Sequence, residues 1–513
     1  MARTFEDISK EVVNRFLQNI LFIDDKAYQS DNKENEFDAN KISKVFAKEG
    51  KLYTIYAPST EGDLCACSSL FSKSDVIVLD WYLDLKTEKQ EIDADADADA
   101  DEPRGYYTKK LIEEIVIDAK EDKLKLVIIY TGETDLHAIT KDIYELIHKY
   151  GNFSLDDCCV SSANVLILIC AKYNGDEQFK HLGELKSKVV KYEELPNFIT
   201  TVFARFVNGL LSNFALSAIS CIREQTSKIL GVYSNKIDCA YLGHRVLLNS
   251  QSDAFQLLMK IFGDSMSDLV SSSHTKDENW VYLWVESRFT ESKSFKIGEK
   301  HIKVDDNLLK ELLIDGTETY QDKIKRLFNG SLSVKEAIKK STCLFSADEN
   351  IANNSNAKFA ILTHHKNIFG YKPDRPILTL GTIVLNDDNY YVCIQQRCDS
   401  VRLKEVRKFL FLPLSKTDGN IHVVIDENNH LNVSVASYDL KTVRFKPSNG
   451  ENCIYANAIE EYGKKKLIFE SIYGEKYEWI LELKDLHAQR IANAYSSTLS
   501  RVGLDESEWL RHL

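Results

Sequence analysis

Apolar residues in the first 175 positions gather into short runs at 20–23 (ILFI), 52–56 (LYTIY), 76–79 (VIVL), 124–130 (LKLVIIY) and 165–170 (VLILIC). Several are apolar at successive positions and do not alternate, which is how strands buried on both faces read. Helical spacing fills the intervals near 6–18, 38–49, 104–120 and 135–149. Strands separated by helices predict a parallel sheet with right-handed crossovers, a doubly wound α/β domain over residues 1–195.

From Pro196 the pattern changes. Phe198, Val202, Phe206 and Leu210 recur at a spacing of four, with Ile199, Phe203 and Phe214 on the same side. This predicts one long connecting helix over 196–232, roughly 50 Å at 1.5 Å per residue. Its apolar stripe reads as core or as a helix-pair surface for a homodimer. A mostly helical region is expected over 233–350, with helices at 250–271, 306–314 and 333–342. The segment 347–357 (ADENIANNSNA) reads as a loop. Beyond it, short apolar runs at 377–384, 390–395, 409–413, 422–425, 431–436, 465–472 and 478–481 alternate with Asn, Asp and Gly. They predict a β-rich domain over 351–485, a small barrel or sandwich. A final helix and tail occupy 486–513. The whole is a multidomain chain, α/β followed by α+β.

Composition narrows the function. The chain has 513 residues, 44% hydrophobic and 28% charged, enough for several ordinary cores. Its net charge of −13 gives no general attraction to nucleic acid or anionic lipid. Seven acidic residues in 91–102 (EIDADADADADE) supply about half of that excess, and they read as a solvated insertion. The stretch without charge at 206–222 is too short to cross a bilayer. With no secretory signal pattern, a cytoplasmic protein is expected. The eleven cysteines lack paired metal-site spacings and read as buried free thiols.

In an open parallel sheet, functional groups collect at the carboxyl ends of strands. Asp24 and Asp25 follow the first predicted strand, Asp80 the third, Thr131 and Gly132 the fourth, and Lys172 the fifth. Three carboxylates at one edge repel unless a divalent cation sits among them, and Mg²⁺ suits an all-oxygen site that also takes phosphate oxygens. Each residue alone reads equally well as a polar strand end. The set in order is more specific.

That set resembles the receiver domain of two-component response regulators, a flavodoxin-like (βα)5 fold. The resemblance implies that Asp80 is the phosphoacceptor, with Asp24, Asp25 and Asp80 around Mg²⁺. It further implies Thr131 as the switch hydroxyl, Lys172 as the phosphate contact, and a sensor histidine kinase as partner. Two positions depart from the family. Ile169 stands where an aromatic is usual, and Tyr173 where a proline is usual, which puts the threonine-to-aromatic rearrangement in doubt. Tyr82 and Glu133, two residues beyond Asp80 and Thr131, are expected to border the path of an attacking water.

The remainder carries no Walker loop, GxSxG elbow or HExxH motif. No enzymatic activity is expected beyond self-phosphorylation and aspartyl-phosphate hydrolysis. A long receiver chain with inserted segments and the terminal stretch RVGLDESEW is similar to the non-effector receiver component of the bacterial Detocs antiphage systems. This implies a phosphate buffer acting beside a second receiver-effector protein of the same operon. The competing reading is a phosphorylation-controlled effector with an enzymatic or nucleic-acid site in its C-terminal region.

Overall fold

The computed structural model describes residues 3–28, 37–86, 104–119, 123–173, 183–248, 251–273, 278–288, 294–297, 300–303, 313, 328, 332–346, 348–370, 373–417, 419–461 and 463–499. The acidic repeat 91–102, nearly all of the expected helix 306–314, and the tail 501–513 lie outside the described residues. The chain divides into two compact units, Met1–Glu291 and Ser292–Leu513.

The first unit opens with α1 (Phe5–Phe16), β1 (Asn19–Ile23), α2 (Ala39–Lys48), β2 (Leu52–Tyr56), α3 (Cys65–Phe71), β3 (Val76–Leu79), α4 (Tyr106–Ala119), β4 (Lys125–Thr131) and α5 (Leu136–Ile147). A hairpin of β5 (Ser154–Asp156) and β6 (Cys159–Ser161) precedes β7 (Val165–Lys172), and the short β8 (Val189–Val190) follows. The sheet order is β2-β1-β3-β4-β7-β6-β5, with β8 also paired to β7. The expected strands are therefore β1, β2, β3, β4 and β7, mutually parallel, while β5 and β6 extend the sheet antiparallel.

Every residue of β3 and β4 is buried, because helices cover both faces. Leu111, Ile115, Leu136 and Ile143 pack with Ile77 and Ile129 on one side. Ile8, Val12, Phe46, Ile199 and Phe203 pack with Phe22 and Ile128 on the other. Side-chain caps start the helices: Thr4 and Asp7 form a capping box on α1, and Asp38 and Asp135 cap α2 and α5.

The expected long helix over 196–232 is broken into α6 (Leu195–Phe206), α7 (Leu210–Glu224) and α8 (Thr226–Val232). Asn208-Gly209 interrupts the first pair, with Gly209 extended at the start of α7. There Ser212 Oγ donates to Val207 O at 2.7 Å and Asn213 Nδ2 to Gly209 O at 2.8 Å. The break lets the chain fold back, so Leu195, Ile199, Phe203 and Val207 are buried in the core of this unit. That half of the stripe is spent within the chain, while Leu211 and Phe214 stay exposed. Arg223 on α7 clasps Asp75 with both terminal guanidinium nitrogens, at 2.9 and 3.0 Å, and Asp75 also accepts the Gln18 and Asn19 amides. Helices α9 (Asp238–Leu247), α10 (Gln251–Ser273) and α11 (Glu278–Arg288) complete the unit.

The second unit contains β9 (Ser294–Ile297), β10 (Lys300–Lys303), α12 (Val334–Lys340) and α13 (Glu349–His364), then β11 (Thr382–Asn386), β12 (Asn389–Cys393), β13 (Arg407–Lys416), β14 (Val423–Val424), β15 (His430–Val433), β16 (Lys441–Phe445), β17 (Asn457–Glu461), β18 (Lys464–Glu470), β19 (Lys476–Glu482) and α14 (Asp485–Leu499). The expected loop at 347–357 is largely helix: Asp348 accepts the Ile351 amide and starts α13 despite its run of Asn. The strand-rich region forms one antiparallel sheet, β14-β15-β13-β12-β11-β19-β18-β17, with β16 beside β13. Both faces are apolar, as the alternation of Ile383 and Leu481 with Val384 and Trp479 shows, and α14 adds Ala488, Ile491 and Tyr495 to one of them.

His364 is buried at the end of α13, its Nε2 accepting the Val424 amide at 3.2 Å. Burial and the adjacent His365 and His487 push its pKa down to about 4. The unfolded chain therefore takes up a proton near pH 6.5 that the folded one refuses. The stability from neutral His364 is complete above pH 6.5 and is lost as pH falls toward 4, in the same direction as for its lowered neighbours His365 and His487. Thermal unfolding of the second unit followed from pH 7 to 4 should show this decline, flattened in His364→Leu.

Candidate functional site

The parallel strands of the first unit end at one edge, and backbone bonds carry the pattern one residue further. The Asp80 amide donates to Ile23 O at 3.0 Å and the Asp24 amide to Tyr56 O at 3.2 Å. Both carboxylates leave the sheet together. Lys172, the last residue of β7, places Nζ 2.9 Å from Asp24 Oδ2 and 2.9 Å from Asp80 Oδ1. Asp24 is further fixed by the Lys26 amide, which donates to Oδ1 at 3.0 Å. The Asp80 carbonyl accepts from Thr108 Oγ1 in the first turn of α4, at 2.8 Å.

These charges are out of water. Side-chain exposure is 4% for Asp24, 8% for Lys172 and 15% for Asp80. Burial raises the Asp80 carboxyl pKa against the pull of Lys172. Burial pulls the Lys172 ammonium down, but Asp80 and Asp24 outweigh it and hold it above its ordinary value. Burial and the neighbouring Asp24 push Asp25 up to about 7, and its Oδ1 is buried with no hydrogen-bond partner among the described residues. The Lys172 ammonium bridges Asp24 and Asp80, while Asp25 stands beside them with Lys26 as its nearest cation. That donor set fits a hard divalent cation held by oxygens.

Thr131 ends β4 at the same edge and is buried. Its Oγ1 accepts the Glu133 amide at 3.1 Å. Glu133 itself pairs with Arg104 at 2.9 Å, and Tyr82 is partly exposed under the Lys26 ammonium, 5.6 Å from the ring centroid.

All five expected residues thus lie at one sheet edge, and the structure joins Lys172, Asp24 and Asp80 directly. Residues 16–177 match the family model of the response receiver domain. The match covers about a third of the chain and includes β1 to β7 with all five positions. It supports a receiver domain in the first unit. No curated protein matches the chain.

Two positions expected from the sequence to differ from the receiver pattern, Ile169 and Tyr173, have a definite place in the first unit. Ile169 is buried in the core, so no aromatic ring stands at that position to follow Thr131. Tyr173 keeps an amide that a proline would lack, and that amide donates to Val190 O at 3.3 Å. Residues 189–190 can therefore pair alongside Ala171 and Lys172. Sequence reasoning missed the aromatic collar that results. Lys172 Nζ lies 5.7 Å from the Phe37 ring and 5.9 Å from the Tyr130 ring. Tyr192 stacks edge-on against both, and Tyr130 donates to Val190 O at 2.9 Å. Gly105 was another missed support. Its φ is +80°, and a Cβ there would fall 2.4 Å from the Trp81 ring, next to Asp80.

Proposed function

We propose that this protein accepts a phosphoryl group on Asp80 from the phosphohistidine of a partner histidine kinase. The observation that carries the reading is the buried Lys172 ammonium bridging Asp24 and Asp80 at the edge of a receiver sheet. An Asp80 carboxylate oxygen attacks phosphorus, the P–N bond breaks, and its electron pair returns to the imidazole. Lys172 then has one carboxylate and the new phosphoryl oxygens to hold, a charge-assisted contact in a low-dielectric site. Asp24, Asp25 and Asp80 would hold Mg²⁺, which when bound neutralises charge developing on the phosphoryl oxygens. Thr131 stands at the same edge as a hydroxyl able to meet that group.

The output does not need the threonine-to-aromatic switch. Lys172 touches the collar of Phe37 and Tyr130, and Tyr192 leads within three residues into α6. A shift of the ammonium from Asp24 toward a phosphoryl group therefore acts on residues 189–195.

The physiological reading we infer is a phosphate sink in bacterial antiphage signalling, which rests on the inserted segments and the terminal RVGLDESEW stretch of the sequence. In a relay rebuilt from kinase, this protein and a second receiver, wild type should lower phosphorylation of the second receiver, and Asp80→Ala should not. Equal phosphorylation with both proteins overturns the sink. The effector reading draws on a cavity of about 500 Å³ in the second unit, lined by His364, His422, His487 and Arg490. It predicts toxicity from the phosphorylated protein expressed with the kinase alone.

A further inference from the structure

The added hairpin carries a second cluster, which shares no residue with the phosphoryl site. Its turn, Asp157-Cys158, joins β5 to β6 with Asp156 opposite Cys159. Cys158 has φ +52°, a left-handed conformation that glycine or asparagine usually supplies at a turn. Its backbone is nevertheless fixed, since the Ile169 amide of β7 donates to Cys158 O at 2.9 Å. The strain is thus held in place by the sheet, and it presents a cysteine side chain where the chain had cheaper choices.

That side chain has company. Cys158 Sγ lies 3.6 Å from Asp157 Oδ1, and the same oxygen is 3.7 Å from His137 Nδ1 in the first turn of α5. The three donor atoms all fall within 4.8 Å of one another. With zinc bonds of about 2.0 Å to N and O and about 2.3 Å to S, tetrahedral ligand atoms sit roughly 3.3–3.5 Å apart. The observed separations are within a few tenths of an ångström of that spacing for two of the three pairs. Asp157 Oδ2 faces Lys188 at 3.6 Å, which leaves Oδ1 turned toward the histidine and the thiol. His137 and Asp157 are exposed while Cys158 is buried, so an ion reaches the cluster from solvent and meets the sulfur last.

We propose that His137, Asp157 and Cys158 form a zinc site tying the first turn of α5 to the β5–β6 turn. Thiolate with imidazole selects a borderline ion over Mg²⁺ or Ca²⁺, and three protein ligands leave a fourth position for water or a partner's side chain. Binding forms the Zn–S bond as the thiol proton leaves to solvent. Burial, with Asp157 beside it, raises this thiol to about 11, so the metal must displace that proton. Helix α5 starts five residues after Thr131, so an ion here stiffens the connection leaving the phosphoryl site. The cysteine expected from sequence to be only a buried thiol becomes a ligand, and its partner His137 is too distant along the chain for any spacing motif to have shown it.

The test is a Co²⁺ titration of the full chain in excess Mg²⁺, added to compete for the proposed aspartate site. Wild type should develop one equivalent of thiolate-to-cobalt charge-transfer absorption, displaced by Zn²⁺. Cys65→Ala, at an exposed cysteine on α3, and Asp80→Asn should keep it. His137→Ala, an exposed change that spares the core, should weaken binding beyond the roughly 10–100-fold that loss of an outer-shell partner costs. Cys158→Ser should remove the band while its circular dichroism stays that of wild type. Absence of the band in wild type, or its persistence at full affinity in His137→Ala, overturns the site.

Discussion

Lys172→Ala should abolish phosphoryl transfer to Asp80 and also weaken the fold. The ammonium sits 2.9 Å from a carboxylate oxygen of both Asp24 and Asp80, with all three side chains largely removed from water. Deleting one partner of a buried ion pair leaves uncompensated charge, a loss of about 3–5 kcal/mol. Here two carboxylates lose their counter-ion together, so Asp80 should rise further in pKa and carry less of the nucleophilic anion. Removal of a positioned donor to developing oxyanion charge costs a further roughly 10²–10³ in rate. Urea unfolding in the presence and absence of Mg²⁺ separates the two effects, because the ion should restore stability without restoring transfer. Arginine is no substitute, since a planar fork cannot occupy the point between Asp24, Asp80 and the rings of Phe37 and Tyr130. A wild-type rate of phosphorylation in Lys172→Ala would contradict the geometry's assigned role.

Mg²⁺ affinity should depend on pH through Asp25. This carboxyl is pushed up to about 7 by burial and by Asp24, and a metal needs the ionised form. Below pH 7 each bound ion displaces a proton, so affinity should fall about tenfold per pH unit and level off above 7. Asp25→Asn should bind Mg²⁺ weakly and shed that part of the slope. Fluorescence of Trp81, buried beside Asp80, offers the readout. The sign for stability follows from the same shift. A carboxyl whose folded pKa exceeds its unfolded value retains a proton that the unfolded chain releases. Without metal, its contribution is complete at low pH and declines as pH rises from about 4 to 7. Added Mg²⁺ should reverse the decline.

The parts of this site that could be read from sequence are those that local rules dictate. Strands buried on both faces must be continuously apolar, so β1, β3, β4 and β7 stood out, and the residue after each apolar run had to lie at the shared edge. What could not be read depends on contacts between distant segments. Tyr192 joins Phe37 and Tyr130 only because residues 189–190 pair beside Lys172, a pairing that needs the Tyr173 amide. Strands β5 and β6 are short and carry SLD and CVS, with no period long enough to register. The break in the expected long helix hinged on Asn208-Gly209, which helical spacing on either side concealed. In the second unit, strands β16 (KTVRF) and β17 (NAIEE) are too polar to stand out. Helix α13 is masked by Asn and begins only because Asp348 caps it.

Phosphorylation of Asp80 itself tests the account most directly. Purified wild type given a small phosphodonor and Mg²⁺ should gain one phosphoryl group, mapped to Asp80 by reductive trapping and mass spectrometry. Chelation of Mg²⁺ and the Asp80→Asn substitution should each prevent it. Modification at the same level in Asp80→Asn, or none in wild type with either a phosphodonor or the cognate kinase, would contradict the receiver function assigned to this edge of the sheet.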